Sequence, residues 1–109
     1  MTQQEQLELA SRLQRTIQRQ ENLPLPHAAL LAHMVLTTFD PRVLEGVKSW
    51  LDETLTDDFA VGDLNLGEIR SAYGGCSAFV ALHVMNLCLT DPDALYDYTW
   101  AEGVDYLGT

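Results

Sequence analysis

Three short stretches of this 109-residue chain carry side chains whose types and spacing could do chemistry. Tyr73-Gly74-Gly75-Cys76-Ser77 sets a thiol at the expected start of an apolar helix. There the helix dipole favours the thiolate, so Cys76 is the candidate nucleophile of a cysteine hydrolase. Such an enzyme needs a histidine base held beside the sulfur. The histidine that follows Cys76 is His83, two turns along the same helix and about 10 Å of rise away, too far for direct contact. His27 and His33 could reach Cys76 only through tertiary folding. A glycine helix stop followed by a small cap residue explains the same string without any catalysis.

Asp57 to Glu68 spans twelve positions and partly matches a calcium-binding helix–loop–helix loop, with Asp57 first, Gly62 sixth, Leu64 eighth, Asn65 ninth and Glu68 last. Positions three and five are Phe59 and Val61, which offer no side-chain oxygen where that loop needs ligands. A capped connection between two helices is the simpler reading. His83 and Asn86, the third stretch, are three apart on an apolar helix, so they are neighbours and must find hydrogen-bond partners if buried. His27 and His33 do not share a face, and no Cys/His spacing fits a zinc site. No metal and no cofactor is expected.

The elements that must position these residues read as helices. Leu7, Ala10, Leu13 and Ile17 form one stripe of a helix from Gln4 to about Glu21. Leu23-Pro24-Leu25-Pro26 ends it, since proline lacks an N–H and disfavours helix in the residue before it. A second helix, apolar over Ala28, Leu30, Leu31, Met34, Val35 and Leu36, runs from about Pro26 to Thr38. The third is capped by Asp40, opens on Pro41 and presents Val43, Leu44, Val47, Trp50 and Leu51. Thr56 to Leu64 reads as a loop, and Asn65 with Glu68 resembles a capping box for a short helix to Tyr73. Ala78–Leu89 is apolar nearly all round and marks a central helix covered by the others. Asp91-Pro92 opens a last helix to about Glu102. The expectation is an all-α bundle of five or six short helices in one domain, 1–109, with no strand.

Charge excludes several functions. Six Lys/Arg against sixteen Asp/Glu give a net charge of −10 and a pI near 4.3, the opposite of what binding to bare nucleic acid or anionic lipid requires. A helix–turn–helix reading of Asn65–Tyr73 and Ser77–Leu89 fails similarly, because the second helix holds no Lys or Arg for a DNA groove. The longest apolar runs, Ala28–Leu36 and Ala78–Leu89, fall well short of the ~20 residues of a membrane span. The first twenty residues lack the apolar middle of a signal peptide, and two cysteines make no disulfide framework, so a cytoplasmic protein is expected.

The charge is also divided. Residues 1–48 hold five acids and five bases, whereas residues 49–109 hold eleven acids and one base, Arg70. Within that second part Asp93, Asp97, Glu102 and Asp105 interleave with Tyr96, Tyr98, Trp100 and Tyr106, while Asp91 serves chiefly as a cap. Carboxylates around aromatics with polar tips are the composition of a surface that grips a basic protein. Asp93, Tyr96, Asp97, Tyr98, Trp100, Glu102 and Asp105 are therefore the expected partner-binding residues. The partner would be a basic protein, one that itself handles nucleic acid. Phage-encoded anti-defence inhibitors and nuclease immunity proteins are small, acidic and helical in the same way, an analogy of class with no shared motif. Arg12, Arg15 and Arg19 form a basic stripe on the first helix, whose alternative use is to meet the acidic part across a homodimer.

Overall fold

The computed structural model describes residues 2–96, with side chains through 94. The fold is all-α, as expected: the described residues form five α-helices, a closing 3-10 turn and one minimal hairpin. The chain divides into two units, the first ending at Thr38 and the second beginning at Phe39.

In the first unit, α1 (Gln3–Gln20) packs on α2 (Leu25–Thr38). Thr2 caps α1 by accepting the Glu5 N–H. The buried stripe of α1 is Leu9, Leu13 and Ile17, four residues apart at each step. Leu7, assigned to this stripe from spacing, is 65% exposed. Six residues from Leu13, it lies about 120° round the helix from the buried face. On α2 the buried residues are Ala28, Leu31, Ala32 and Val35. Leu30, expected inside, is 70% exposed. A helix packed along one side buries one stripe, however apolar the remainder.

In the second unit, α5 (Ala78–Thr90) is the central element, against which α3 (Pro41–Leu51), α4 (Leu66–Ala72) and the 3-10 turn η1 (Pro92–Tyr96) pack. Phe79, Val80, Ala81, Leu82, Val84, Met85 and Asn86 of α5 are all buried, which accounts for its lack of a polar face. Burying one such apolar side chain contributes about 1.5–3 kcal/mol, and a helix cap about 1 kcal/mol. Packing therefore creates α5, and caps decide only where it starts. Trp50 of α3 stacks on Phe79, with ring centroids 5.4 Å apart.

Two expectations are corrected here. The loop read over Thr56 to Leu64 contains a strand pair, β1 (Ala60–Val61) against β2 (Leu64–Asn65), antiparallel with Val61 opposite Leu64. Val61 is buried, and the Leu66 N–H donates to the Phe59 carbonyl at 2.9 Å to extend the pairing. Strands of two residues are too short for any alternating pattern. The chain from Pro92 to Tyr96 is a 3-10 helix, where an α-helix was expected. The rest of that expected helix lies outside the described residues.

Candidate functional site

The chemically suggestive stretches spend several of their polar groups on holding the fold together. At the start of α5 the N-cap is Ser77, whose Oγ accepts the Val80 N–H at 3.2 Å. Cys76 precedes the cap and is 5% exposed. Its carbonyl accepts the Arg70 Nε–H at 2.9 Å, and Arg70 also donates from Nη1 to Asp57 Oδ1 at 3.0 Å. Arg70 thus ties the α4–α5 turn to the segment before the hairpin. Gly74 and Gly75 make that turn with φ of 71° and 77°, where a side chain would be strained. Burial pushes the Cys88 thiol up. It does the same to the Tyr73 phenol, to which Cys88 and Cys76 add a smaller push.

In the twelve-residue stretch, Asn65 Oδ1 accepts the Glu68 N–H at 2.9 Å, as the capping reading requires. The Gly67 N–H donates to the Asp57 carbonyl at 3.1 Å. These two oxygens therefore cap α4 and tie its first turn to the segment before the hairpin. Among the described residues, no three His, Cys, Asp or Glu side chains converge as metal ligands do. Nor is any described helix long and apolar enough to cross a membrane.

His83 and Asn86 both turn to the entry of α3. Asn86, 3% exposed, accepts the Asp40 N–H on Oδ1 at 2.7 Å. His83 lies against the Phe39 ring, centroids 6.1 Å apart. Burial lowers the proton affinity of this imidazole.

The surface is where charge accumulates. From residue 49 onward the described acids are Asp52, Glu53, Asp57, Asp58, Asp63, Glu68, Asp91 and Asp93, and every one is exposed. The described bases of the second unit each sit on a carboxylate: Arg42 on Asp40 at 3.0 Å, Lys48 on Glu45 at 3.3 Å and Arg70 on Asp57 at 3.0 Å. The Arg42 side chain, then its backbone N–H, hold the Asp40 carboxyl below its ordinary range. Each described base of this unit is thus paired with a carboxylate, Asp57 among the eight acids serving Arg70, while the other seven acids make none of these three ion pairs and are exposed.

Of the residues expected to bind a partner, Asp93 is exposed on η1 and Tyr96 ends that turn. Asp97, Tyr98, Trp100, Glu102 and Asp105 lie outside the described residues. The reading of the C-terminal segment passed over Glu53 just after α3, Asp58 and Asp63 beside and within the hairpin, and Glu68 on α4. Their signal was the charge count, which locates an excess without telling which stretch of backbone displays it. No protein-family model matches this chain, and no curated protein or solved structure matches it either.

Proposed function

We propose that this chain is a non-enzymatic, cytoplasmic protein-binding module whose acidic second part occupies a basic surface of another protein. The surface it fits is one that handles nucleic acid, with the carboxylates standing where phosphates would. In that role the chain is an inhibitor by nucleic-acid mimicry, of the phage or bacterial anti-defence, anti-CRISPR-like or immunity type.

One observation carries the reading: the second unit neutralises its own bases while all eight acids described from residue 49 onward stay in water. Solubility needs net charge but is served equally by a mixed surface. A surface almost cleared of positive charge steers basic partners and repels acidic ones.

The test compares the wild-type chain with a variant carrying Glu53→Lys, Asp58→Lys, Asp63→Lys and Asp93→Lys, both immobilised in native lysate at low salt. These side chains are exposed, so each change costs within about 0.5 kcal/mol of stability. The wild type is expected to retain basic nucleic-acid-handling proteins that rising salt releases as screening shortens the reach of its field to about 8 Å. The variant is expected to lose them. Identical captured proteins with identical salt profiles would end this assignment.

A further inference from the structure

Glu5, Glu8, Arg12, Arg15 and Arg19 recur every three or four positions of α1, and all are exposed. At about 100° per residue they fall within about 80° of one another and make one line along the helix. Its acids come first and its bases last. Glu8 and Arg12 each stand one position before a buried residue, Leu9 and Leu13. On α2, Leu30 and Met34 likewise stand one position before the buried Leu31 and Val35. The two helices pack on each other across a link of only residues 21–24, so they run antiparallel. A two-fold axis perpendicular to such a pair exchanges its helices, and equivalent positions therefore lie on the same face. One face of the first unit thus sets the charged line of α1 beside Leu30 and Met34 of α2. Leu30 is 70% exposed, and α2 holds no Asp, Glu, Lys or Arg.

We propose that this face binds the same face of a second copy of the chain, α1 on α1 and α2 on α2, each pair antiparallel about one two-fold axis. The reversal sets Glu5 opposite Arg19 of the second copy and Glu8 beside its Arg15. Arg12 falls near the axis, one turn from the Glu8 of either copy. The apolar part obeys the same axis. The charged line is centred on Arg12, and Leu30 with Met34 on Ala32. Counting equally from the link, Gln20 is level with Leu25 and Arg12 with His33. The two centres thus agree to one residue, about 1.5 Å of rise. A dimer of this kind has an apolar strip flanked by paired charges, the usual anatomy of an interface.

Charge also selects the occupant. Residues 1–38 hold three acids, Glu5, Glu8 and Glu21, and three bases, Arg12, Arg15 and Arg19, so the first unit is neutral. Two copies meeting through residues 49–109, with eleven acids and one base, would oppose like charge. The basic stripe of α1 is thereby answered by the acids of another α1, whatever the acidic second part binds. The 18 residues of α1 span about 27 Å and two packed helices about 20 Å across, a face of about 500 Å² per copy. About 1,000 Å² for the pair is the lower limit of a specific interface, so the dimer is reversible.

The experiment is sedimentation equilibrium of the full chain at low salt. With rising concentration the mass should grow reversibly from 12.2 kDa to twice that value. A Glu5→Arg, Glu8→Arg variant makes the α1 line wholly basic, and an Arg15→Glu, Arg19→Glu variant makes it acidic except at Arg12. Each alone should associate at least about tenfold more weakly than the wild type, because like charges now face each other. Their equimolar mixture should associate at least as tightly as the wild type, since every opposed pair again has opposite signs. Leu30→Gln, at an exposed position, should weaken association about tenfold and leave thermal unfolding unchanged. A wild type that stays at 12.2 kDa up to about 1 mM overturns the dimer. So does a reversal variant that self-associates as tightly as the wild type, the result expected if the arginines met the acidic second part instead. A mixture no tighter than its components also overturns it. If the reversal variants do not fold, Leu30→Gln decides, and unchanged association there refutes the proposal.

Discussion

Asn86 reaches across forty-six residues of chain to take the backbone N–H of Asp40 at 2.7 Å. Asp40 in turn accepts the Arg42 N–H at 2.8 Å and caps α3. A side chain of the central helix thereby fixes the point at which another helix begins. Asn86→Ala removes the acceptor and leaves a part-buried N–H unsatisfied, which costs about 1–3 kcal/mol. Urea unfolding should show a lower midpoint with an unchanged slope. A loss of under about 0.5 kcal/mol would mean that water replaces the amide without penalty.

Gly46 sits in the middle of α3, where alanine is favoured by about 1 kcal/mol. A Cβ there would stand 2.7 Å from two Phe59 ring carbons and 2.9 Å from Leu82 Cδ2. Leu82 is fully buried and has nowhere to go, while Phe59 is held by its backbone next to the hairpin. Overpacking of this kind costs about 1–3 kcal/mol, so Gly46→Ala should destabilise despite the propensity gain. In a Phe59→Ala background the same change should cost clearly less. Equal costs in the two backgrounds would place the strain elsewhere.

Arg70 makes two bonds of unequal worth. The ion pair with Asp57 is exposed, Asp57 by 64%, and such pairs contribute about 0–1 kcal/mol. The bond to the part-buried Cys76 carbonyl belongs to the class whose loss costs about 1–3 kcal/mol. Asp57→Asn should therefore be nearly silent in thermal unfolding, and Arg70→Met should lower the midpoint. Arg70→Lys should not restore it, since one ammonium lacks the fork that reaches both acceptors. The reverse ranking would show that the surface pair dominates.

Thiol reactivity separates a packed Cys76 from a nucleophilic one. In the folded protein a disulfide reagent at neutral pH should modify Cys88 slowly, because burial disfavours its thiolate, and Cys76 more slowly still. Both should react quickly in urea. A Cys76 that labels faster folded than unfolded would revive the hydrolase reading.

The sequence by itself determined what depends on near neighbours. Asp40-Pro41, Asn65 with Glu68, and Gly74-Gly75 mark helix ends because caps and stops act within about four residues of backbone. The apolar run from Ala78 announced a central helix because a helix without a polar face must be covered on all sides. The net charge and its division at about residue 48 were also fully legible, being sums over residue types. Only the tertiary structure decided which of several apolar residues face inward, so that Leu9 is buried and Leu7 is not. It also decided that Asn86 answers Asp40, that Gly46 yields room to Phe59, and that every described acid after residue 48 stays in water. Those outcomes rest on partners tens of residues apart, and the chain must pack before they meet.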